Sequence, residues 1–336
     1  MKFRSVAALA FASLVGACAL PATNGGSPPA VTPTVVTIAS GAPGGVYQRI
    51  GTALCDALGA QNPPVGCATV ATDGSVDNLR ALAAGAVGFG LTQADTALAA
   101  QLGVGPFYGA GPNRALRSVL ALGIEPLAIV VRADSGIARF ADLKGRRIDP
   151  GASGSGTEIT MRGLIASHGW TVGRDVTLIA IAAGGHAEAL CAGRVDAIAL
   201  IGAQPNPAVE TAAAGCPAAL VSVAGPVIDA VVVGYPTIDK ETIAGGTYPW
   251  LTTPVATVGL QTILATTEGQ PDDAVRAVAA AAAADPARLR RAHLSLRRVT
   301  AKSMLVENDV LPLHPAAAAY GEAAAIVARE ELLLAK

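Results

Sequence analysis

Short apolar, β-branched runs alternate with helical segments along the chain from Thr34 onward. Between the first two runs, Val46, Ile50, Leu54 and Leu58 recur every four residues, which predicts a helix with one buried stripe. Such alternation is typical of α/β domains with largely parallel sheets. We predict strands at TVVTIAS, CATVAT, VGFGLT, LRSVLAL, LAIVVRA, RRIDP, VTLIAI, AIALIG and AALVSVA.

Two longer apolar stretches predict that the chain passes between two lobes. The stretch LRSVLALGIEPLAIVVRADSG is interrupted at Glu125-Pro126, and TTPVATVGLQTILATT offers a comparable return. Two crossings give two lobes with a hinge and a cleft between them. We expect a first lobe over residues 34–125 plus 260–336 and a second over residues 126–259. Beyond Asp272, Ala-rich and Arg-rich segments predict packed terminal helices, because Ala has the highest helix propensity.

The first residues have the build of an export signal, with basic residues followed by a short apolar run, MKFRSVAALAFASLVGAC. The end of this run, LVGAC, resembles the bacterial lipobox, which would make Cys18 a lipidated first residue. An ordinary secretory signal cut near Ala17 or Ala22 is the alternative. We therefore expect a signal with a lipobox over residues 1–18 and a flexible, Pro- and Gly-rich tether over residues 19–33.

The amino-acid composition argues against two classes of partner, nucleic acid and the membrane interior. The formal net charge is −1, which gives no basic surface for nucleic acid. No membrane-spanning segment is expected after the signal, because even the longest Ala run is broken by Asp285 and Pro286. The membrane would be reached only through the lipid anchor.

Four cysteines remain after the signal, at positions 55, 67, 191 and 216. In an exported chain an even number suggests disulfides, and four cysteines allow three connectivities. Pairing of sequence neighbours, Cys55 with Cys67 and Cys191 with Cys216, is the simplest. The alternative is that Cys55 and Cys191, on apolar helix faces, are buried free thiols.

Small-residue turns follow five of the predicted strands and lead into helix starts. In parallel α/β sheets, ligands bind beyond the carboxyl ends of strands, where helix N-termini present free N–H groups. One such turn is ordinary, but five favour an anionic ligand. The turns are SGAPGGVY, DGSVDNL, QAD, GASGSGTE and AQPNP.

Known phosphate-binding patterns do not fit the first turn. The Walker spacing fails between Gly41 and Gly45, where Val46 stands in place of lysine, and Pro43 occupies the second glycine position of the dinucleotide pattern. A carboxylate satisfies the same donors without a lysine. Hydroxyl groups could be added by Ser40, Ser75, Ser155 and Thr157.

Catalytic and metal-binding patterns are weak. The four histidines are scattered and match no metal-ligand spacing, so we expect neither a metal nor a cofactor. Asp95 could hold a ligand ammonium group, or it could be a helix N-cap. A serine hydrolase using Ser153 or Ser155 with His186 is the enzymatic alternative, although the serines do not fit the nucleophile-elbow pattern.

The chain resembles the TAXI class of TRAP-transporter solute-binding receptors. The resemblance covers nearly everything after the tether and is carried by SGAPGGVYQRIG, TDGSVDNLRALAAGAVGFGLTQADTA, DLKGRRIDPGASGSGTE, GRVDAIALIGAQPNPAVE, IAGGTYPW and LPLHPAAAAY. Val46 replaces the threonine that the family has in its first loop.

This resemblance implies a two-lobed Venus-flytrap fold, the type II α/β fold of periplasmic binding proteins, with a hinge and C-terminal helices. It implies a non-enzymatic receptor, lipid-anchored in the periplasm, that delivers a small carboxylate such as an amino acid or a dicarboxylate to TRAP permease subunits. A module serving a sensor kinase or an ATP-driven importer is the alternative, since the fold serves both. The ligand contacts mapped by motif are Ser40, Gly44, Gly45, Val46, Tyr47, Ser75, Asn78, Gln93, Asp95, Ser155, Gly156, Thr157, Gln204 and Pro205.

Overall fold

The computed structural model describes residues 34–61, 65–182, 184–306 and 311–322. The predicted export signal and tether, with Cys18, lie outside the described residues, as does most of the last predicted helix. The strands are β1 (Thr34–Ala39), β2 (Val65–Val70), β3 (Phe89–Gln93), β4 (Leu116–Arg132), β5 (Arg147–Asp149), β6 (Thr177–Leu178), β7 (Ala197–Ile201), β8 (Ala218–Leu220), β9 (Ile238–Ile243) and β10 (Val255–Thr267).

Helices connect most of these strands. They are α1 (Val46–Ala60), α2 (Ser75–Ala83), α3 (Ala94–Leu102), α4 (Gly156–Ser167), α5 (His186–Cys191), α6 (Pro207–Gly215), α7 (Pro226–Gly234), α8 (Asp272–Ala284), α9 (Pro286–Ala292) and α10 (Ala301–Val306). The stripe predicted for α1 is confirmed, because Ile50, Leu54 and Leu58 are all buried. Within the described ranges, no helix combines the length and apolar character needed to cross a bilayer.

The described strands form one hydrogen-bonded path in the order β2-β1-β3-β10-β4-β7-β5-β6, with β9 paired to β10 and β8 to β4. The outer strands pair in parallel, β1 with β2 and β3, and β5 with β6 and β7. The long strands β4 and β10 run antiparallel to each other. The fold is therefore a mixed α/β fold, and the alternation of runs predicts this class correctly. The expectation of largely parallel sheets is wrong, because β10 pairs antiparallel with β3, β4 and β9, and β4 pairs antiparallel with β7 and β8.

Two lobes follow from this path. The first lobe contains β1–β3 with helices α1–α3 and α8–α10, and the second contains β5–β8 with helices α4–α7, as the grouping of their buried side chains shows. Strand β4 passes through both: residues 116–126 pair with β10, and residues 127–132 pair with β7 and β8. The two apolar runs interrupted by Glu125-Pro126 are thus one continuous strand. Separate hydrophobic clusters fill the two lobes.

Some elements differ from the sequence prediction. Strand β6 has only two residues, and β9 was not predicted because IDKETI is polar at most of its positions. The Ala-rich segment forms two helices, since Asp285 ends α8 and its Oδ1 accepts the Arg288 N–H at 2.9 Å to cap α9. Both simple disulfide pairings are present, Cys55–Cys67 and Cys191–Cys216, so the free-thiol alternative for Cys55 and Cys191 is wrong.

Candidate functional site

A cavity of about 160 Å³ lies where turns from both lobes meet. Four of the five predicted turns contribute to it, and the strand before the fifth turn contributes Ile201. The lining contains no Lys, Arg or His among the residues that the structure describes. The lining residues are Gly41, Ala42, Gly45, Val46, Tyr47, Gly74, Ser75, Gln93, Glu125, Ser155, Gly156, Thr157 and Ile201.

The turns bring four helix N-termini to this cavity. Helices α1, α2 and α3 begin after Gly45, Gly74 and Gln93, and none of these three has a side-chain cap. Helix α4 is capped by Ser155, whose Oγ accepts the Glu158 N–H at 3.2 Å. The first N–H groups of a helix have no intrahelical partner and carry its positive dipole end. These helix starts direct positive dipole ends toward a cavity whose described lining has no cationic side chain.

The two lobes touch beside the cavity. The Val76 N–H lies 3.4 Å from the Gly154 carbonyl oxygen, and the Thr160 hydroxyl donates to Asp95 Oδ2 at 2.6 Å. A Cβ atom on Gly156 would lie 2.0 Å from Gln93 Oε1, so only glycine allows this approach of α4 to β3. In the described conformation, the two lobes are therefore in direct contact beside the cavity.

Glu125 is a cavity residue that the candidate contacts did not include. It is only 2% exposed, and the Thr262 hydroxyl donates to its Oε2 at 3.1 Å. Burial raises the pKa of Glu125 to about 7, against the smaller lowering effects of the Thr262 and Ser295 hydroxyls. Its Oε1 has no hydrogen-bond partner, and neither has Oε1 of Gln93. The sequence did contain a signal for this residue: an acidic side chain interrupts two apolar runs where the chain is predicted to pass between the lobes.

Tyr47 shares this environment. Its pKa is raised above the ordinary value by burial first and by the nearby Glu125 carboxylate second, while Ser75 and Thr262 hydroxyls lower it. Tyr47 therefore stays a neutral hydrogen-bonding group throughout the ordinary pH range. It links α1 of the first lobe to the crossing strands β4 and β10.

Eight of the candidate contacts line the cavity: Gly45, Val46, Tyr47, Ser75, Gln93, Ser155, Gly156 and Thr157. Ser40 and Asn78 lie behind it. The Ser40 hydroxyl donates to the Val70 carbonyl, and Asn78 Nδ2 donates to the Ser40 and Leu91 carbonyls at 2.6 Å each. These two side chains hold β1, β2 and β3 together behind the turns. Gly44 is exposed and is not among the lining residues.

Asp95 also lies outside the cavity lining. Helix α3 begins at Ala94, so Asp95 sits inside its first turn and the N-cap alternative for Asp95 is wrong. Its Oδ1 accepts the Thr96 N–H at 2.6 Å while Oδ2 accepts the Thr160 hydroxyl. Burial raises the pKa of Asp95, and the hydrogen bonds from Thr160 and Thr96 lower it. Its oxygens thus connect the lobes in this conformation.

Gln204 and Pro205 belong to a different cavity, of about 650 Å³. Its wall includes Ile124, which neighbours Glu125 on β4 and points away from it because successive side chains of a strand face opposite sides. Arg297 and Arg298 also line it, and Arg297 Nη1 contacts the Gln204 carbonyl oxygen at 3.4 Å. We call this space the back cavity and the smaller one the front cavity.

The groups needed for the enzymatic alternative do not meet in the described residues. His186 Nδ1 lies 2.5 Å from Asp149 Oδ2, and the Ser155 hydroxyl caps α4. No hydrogen bond joins His186 to Ser153 or Ser155 within the described part of the chain. The same part of the chain holds no group of three His, Cys, Asp or Glu side chains placed to bind a metal.

Paired strands joining two α/β lobes over a cavity define the fold of two-lobed periplasmic binding proteins. The chain belongs to the NMT1-like family, whose model matches residues 38–322. Among solved structures it is similar to MatC from Rhodopseudomonas palustris with bound malate, at 18% identity and a TM-score of 0.51, covering 78% of this chain and 88% of MatC.

Two further solved structures are similar. One is a Xanthomonas citri protein bound to chloride, at 11% identity and a TM-score of 0.50, covering 86% of this chain and 95% of that one. The other is the periplasmic aliphatic sulphonate binding protein SsuA from Escherichia coli, at 17% identity and a TM-score of 0.47, covering 87% and 79%. At such identities, the structures with TM-scores of at least 0.50 establish the fold.

Proposed function

We propose that the chain is an extracytoplasmic solute-binding receptor that captures a small carboxylate in the front cavity and has no catalytic activity. The observation that carries this proposal is the convergence of four helix N-termini on one cavity without a cationic side chain. Free N–H groups and aligned dipoles bind an anion there, and the small cavity volume favours a metabolite. Membership of the NMT1-like family supports a binding role over an enzymatic one.

The finer proposal is delivery to an ion-gradient-driven permease of the TRAP type, which follows from the TAXI resemblance. Ligand would stabilise the closed conformation, because each lobe contributes donors that meet only when the lobes come together. The lobes would divide at residues 34–125 plus 260–336 and 126–259, and Cys18 would anchor the protein to a bacterial membrane. Gly45, Val46, Tyr47, Ser75, Ser155, Gly156 and Thr157 would contact the ligand.

The test is a thermal-shift screen of the purified chain, without its signal, against amino, keto and dicarboxylic acids. We expect one class of small carboxylates to raise the melting temperature in a concentration-dependent way, because ligand binds only the folded state. Taurine, the sulfonate counterpart of β-alanine, serves as a matched control for the acid group. If no carboxylate shifts the melting temperature, the proposed function is wrong.

The permease class is tested separately with the identified ligand. Vesicles containing the candidate TRAP permease should take up this ligand only when the receptor and a cation gradient are both present. Uptake that requires ATP instead would assign the receptor to an ATP-driven importer.

A further inference from the structure

Glu125 conflicts with a site built only for anions. Four helix N-termini favour negative charge in the front cavity, yet a buried carboxyl group lines the same 160 Å³ space. An ionised Glu125 would repel a ligand carboxylate across so small a distance. The conflict disappears if Glu125 is neutral or if the ligand brings positive charge to it.

The hydrogen bonding of Glu125 favours the second solution. Its Oε2 already accepts the Thr262 hydroxyl and its Oε1 has no hydrogen-bond partner, so an ionised Glu125 offers Oε1 as a free acceptor. Gln93, opposite Thr262 in the register of β3 and β10, presents a second unpartnered acceptor, Oε1. Buried polar atoms are almost always hydrogen-bonded, to protein or to ordered water, so two such acceptors in one cavity favour an occupant that brings donors.

We propose that Glu125 is a specificity-determining ligand contact: it accepts a hydrogen bond from a cationic donor, an ammonium group, on the bound carboxylate, and it releases a proton to solvent when that ligand binds. The inference rests on the proposed function of the front cavity. The ammonium keeps its own protons, and the proton lost is that of the Glu125 carboxyl group. The ligand class is thereby narrowed to small zwitterions that carry both a carboxylate and an ammonium group.

The surroundings of Glu125 leave it free to titrate. The groups that face it are the hydroxyls of Thr262 and Ser295 and the phenol of Tyr47, which stays neutral. Behind these lie Asp95 near Tyr47, and His293, whose Nδ1 contacts the Ser295 hydroxyl at 2.9 Å and which is itself influenced by Arg49. No ion pair holds Glu125 among the described residues. Since burial raises its pKa to about 7, ligand binding at pH 6 starts from a largely protonated carboxyl group.

The test compares ligands that differ only in one substituent. Two series are used, alanine, lactate and propionate, and aspartate, malate and succinate, with affinities measured by calorimetry on the full mature chain. In at least one series, we expect the ammonium compound to bind about tenfold or more tightly than the hydroxyl and unsubstituted compounds, because hydrogen bonds to charged groups are the strong ones. In Glu125→Gln this preference should fall at least tenfold, while Glu210→Gln, an exposed acid on α6, should retain it.

Proton release gives a second readout on the wild-type chain. Binding enthalpies of the ammonium compound are measured at pH 6 in two buffers of different ionisation enthalpy. We expect release of most of one proton at pH 6, little release at pH 8, and none at either pH in Glu125→Gln. Because binding is linked to loss of the Glu125 proton, the affinity should rise from pH 5 to pH 7 and then level.

The outcomes are distinguishable. Preference for the ammonium compound with proton release supports the inference. Equal binding of unsubstituted and ammonium compounds, or proton uptake instead of release, overturns it while leaving the carboxylate receptor intact. If no compound of either series binds and the wider carboxylate screen is also negative, the proposed function fails and the inference falls with it. If carboxylates outside the series bind but no ammonium compound does, only the inference falls.

Discussion

The front and back cavities share strand β4 but differ in what they offer a ligand. The back cavity is about four times larger, 650 Å³ against 160 Å³, and two arginines line it. The front cavity has no cationic side chain, yet helix N-termini and two unpartnered buried acceptors converge on it. None of the buried unpartnered atoms found in the described residues lines the back cavity. The proposed binding site is therefore placed at the front cavity, where unsatisfied groups converge, although the back cavity is larger and carries formal charge.

The largest expected effect concerns the buried acid of the front cavity. The folded state holds a proton on Glu125 up to about pH 7, whereas the unfolded chain loses it near 4.5. The free energy of unfolding should therefore fall by up to about 3 kcal/mol as the pH rises between these values. Above pH 7 this contribution should stay level. The measurement is urea unfolding at pH 4.5 and pH 8. Glu125→Gln should not show this loss of stability at the higher pH, whereas Glu210→Gln should show it as the wild type does. Identical pH profiles for Glu125→Gln and wild type would contradict the burial of an ionisable group.

A smaller effect is expected at the contact between lobes. Gly156→Ala places a Cβ against the buried Gln93 amide, and such overpacking costs about 1–3 kcal/mol. We expect ligand affinity to fall by about ten- to hundredfold in calorimetry, because closure brings these groups together. Gly163→Ala is the matched control on the same helix, with no atom within 4 Å of its added Cβ. Equal affinities for the two variants would show that α4 does not close on β3 when ligand binds.

The cap of α4 should contribute less. Ser155→Ala removes the acceptor for the Glu158 N–H and a polar group from the cavity wall, at a cost of about 1 kcal/mol. Ligand affinity should fall about fivefold, because a looser first turn aims its N–H groups less well. Thr211→Ala, a hydroxyl on the exposed side of α6, is the control. Unchanged affinity for Ser155→Ala would exclude its side chain from the site.

The smallest effect is expected in the back cavity. The double substitution Arg297→Ala and Arg298→Ala removes both of its arginine side chains from a surface-exposed position. Affinity for the carboxylate should stay within about twofold of wild type, because solvent and salt screen the charges of exposed side chains. A loss of ligand affinity as large as that expected for Gly156→Ala would instead place the binding site in the back cavity.

The sequence predicted the elements of the fold better than the contacts of the site. The four-residue spacing in α1 and the small-residue turns after strands are local signals, and both the helix and the convergence of four turns are found. Whether a turn residue faces the cavity is not local. Ser40 and Asn78 turn inward to connect strands that only the assembled sheet brings together.

Glu125 is a cavity residue that the sequence analysis missed, because its contacts are not local either. Read along the chain, it is an acid that breaks an apolar run, and the sequence suggested only a crossing there. Its role depends on Thr262, which is 137 residues away and becomes its neighbour only when β10 pairs with β4. Likewise β9 has no apolar alternation of its own, and its pairing with β10 gives it its extended form.

The pairing of β4 with β10 also has a mechanical consequence. Two hydrogen-bonded strands are expected to bend and twist together, so a hinge motion between the lobes would use one shared pivot instead of two independent hinges. Thr262 and Glu125 sit on that pair of strands, one on each strand. A charged ligand bound beside these two residues would act at the pivot. A small rotation there would give a large displacement at the outer rim of the lobes, which is the surface that a transporter would contact.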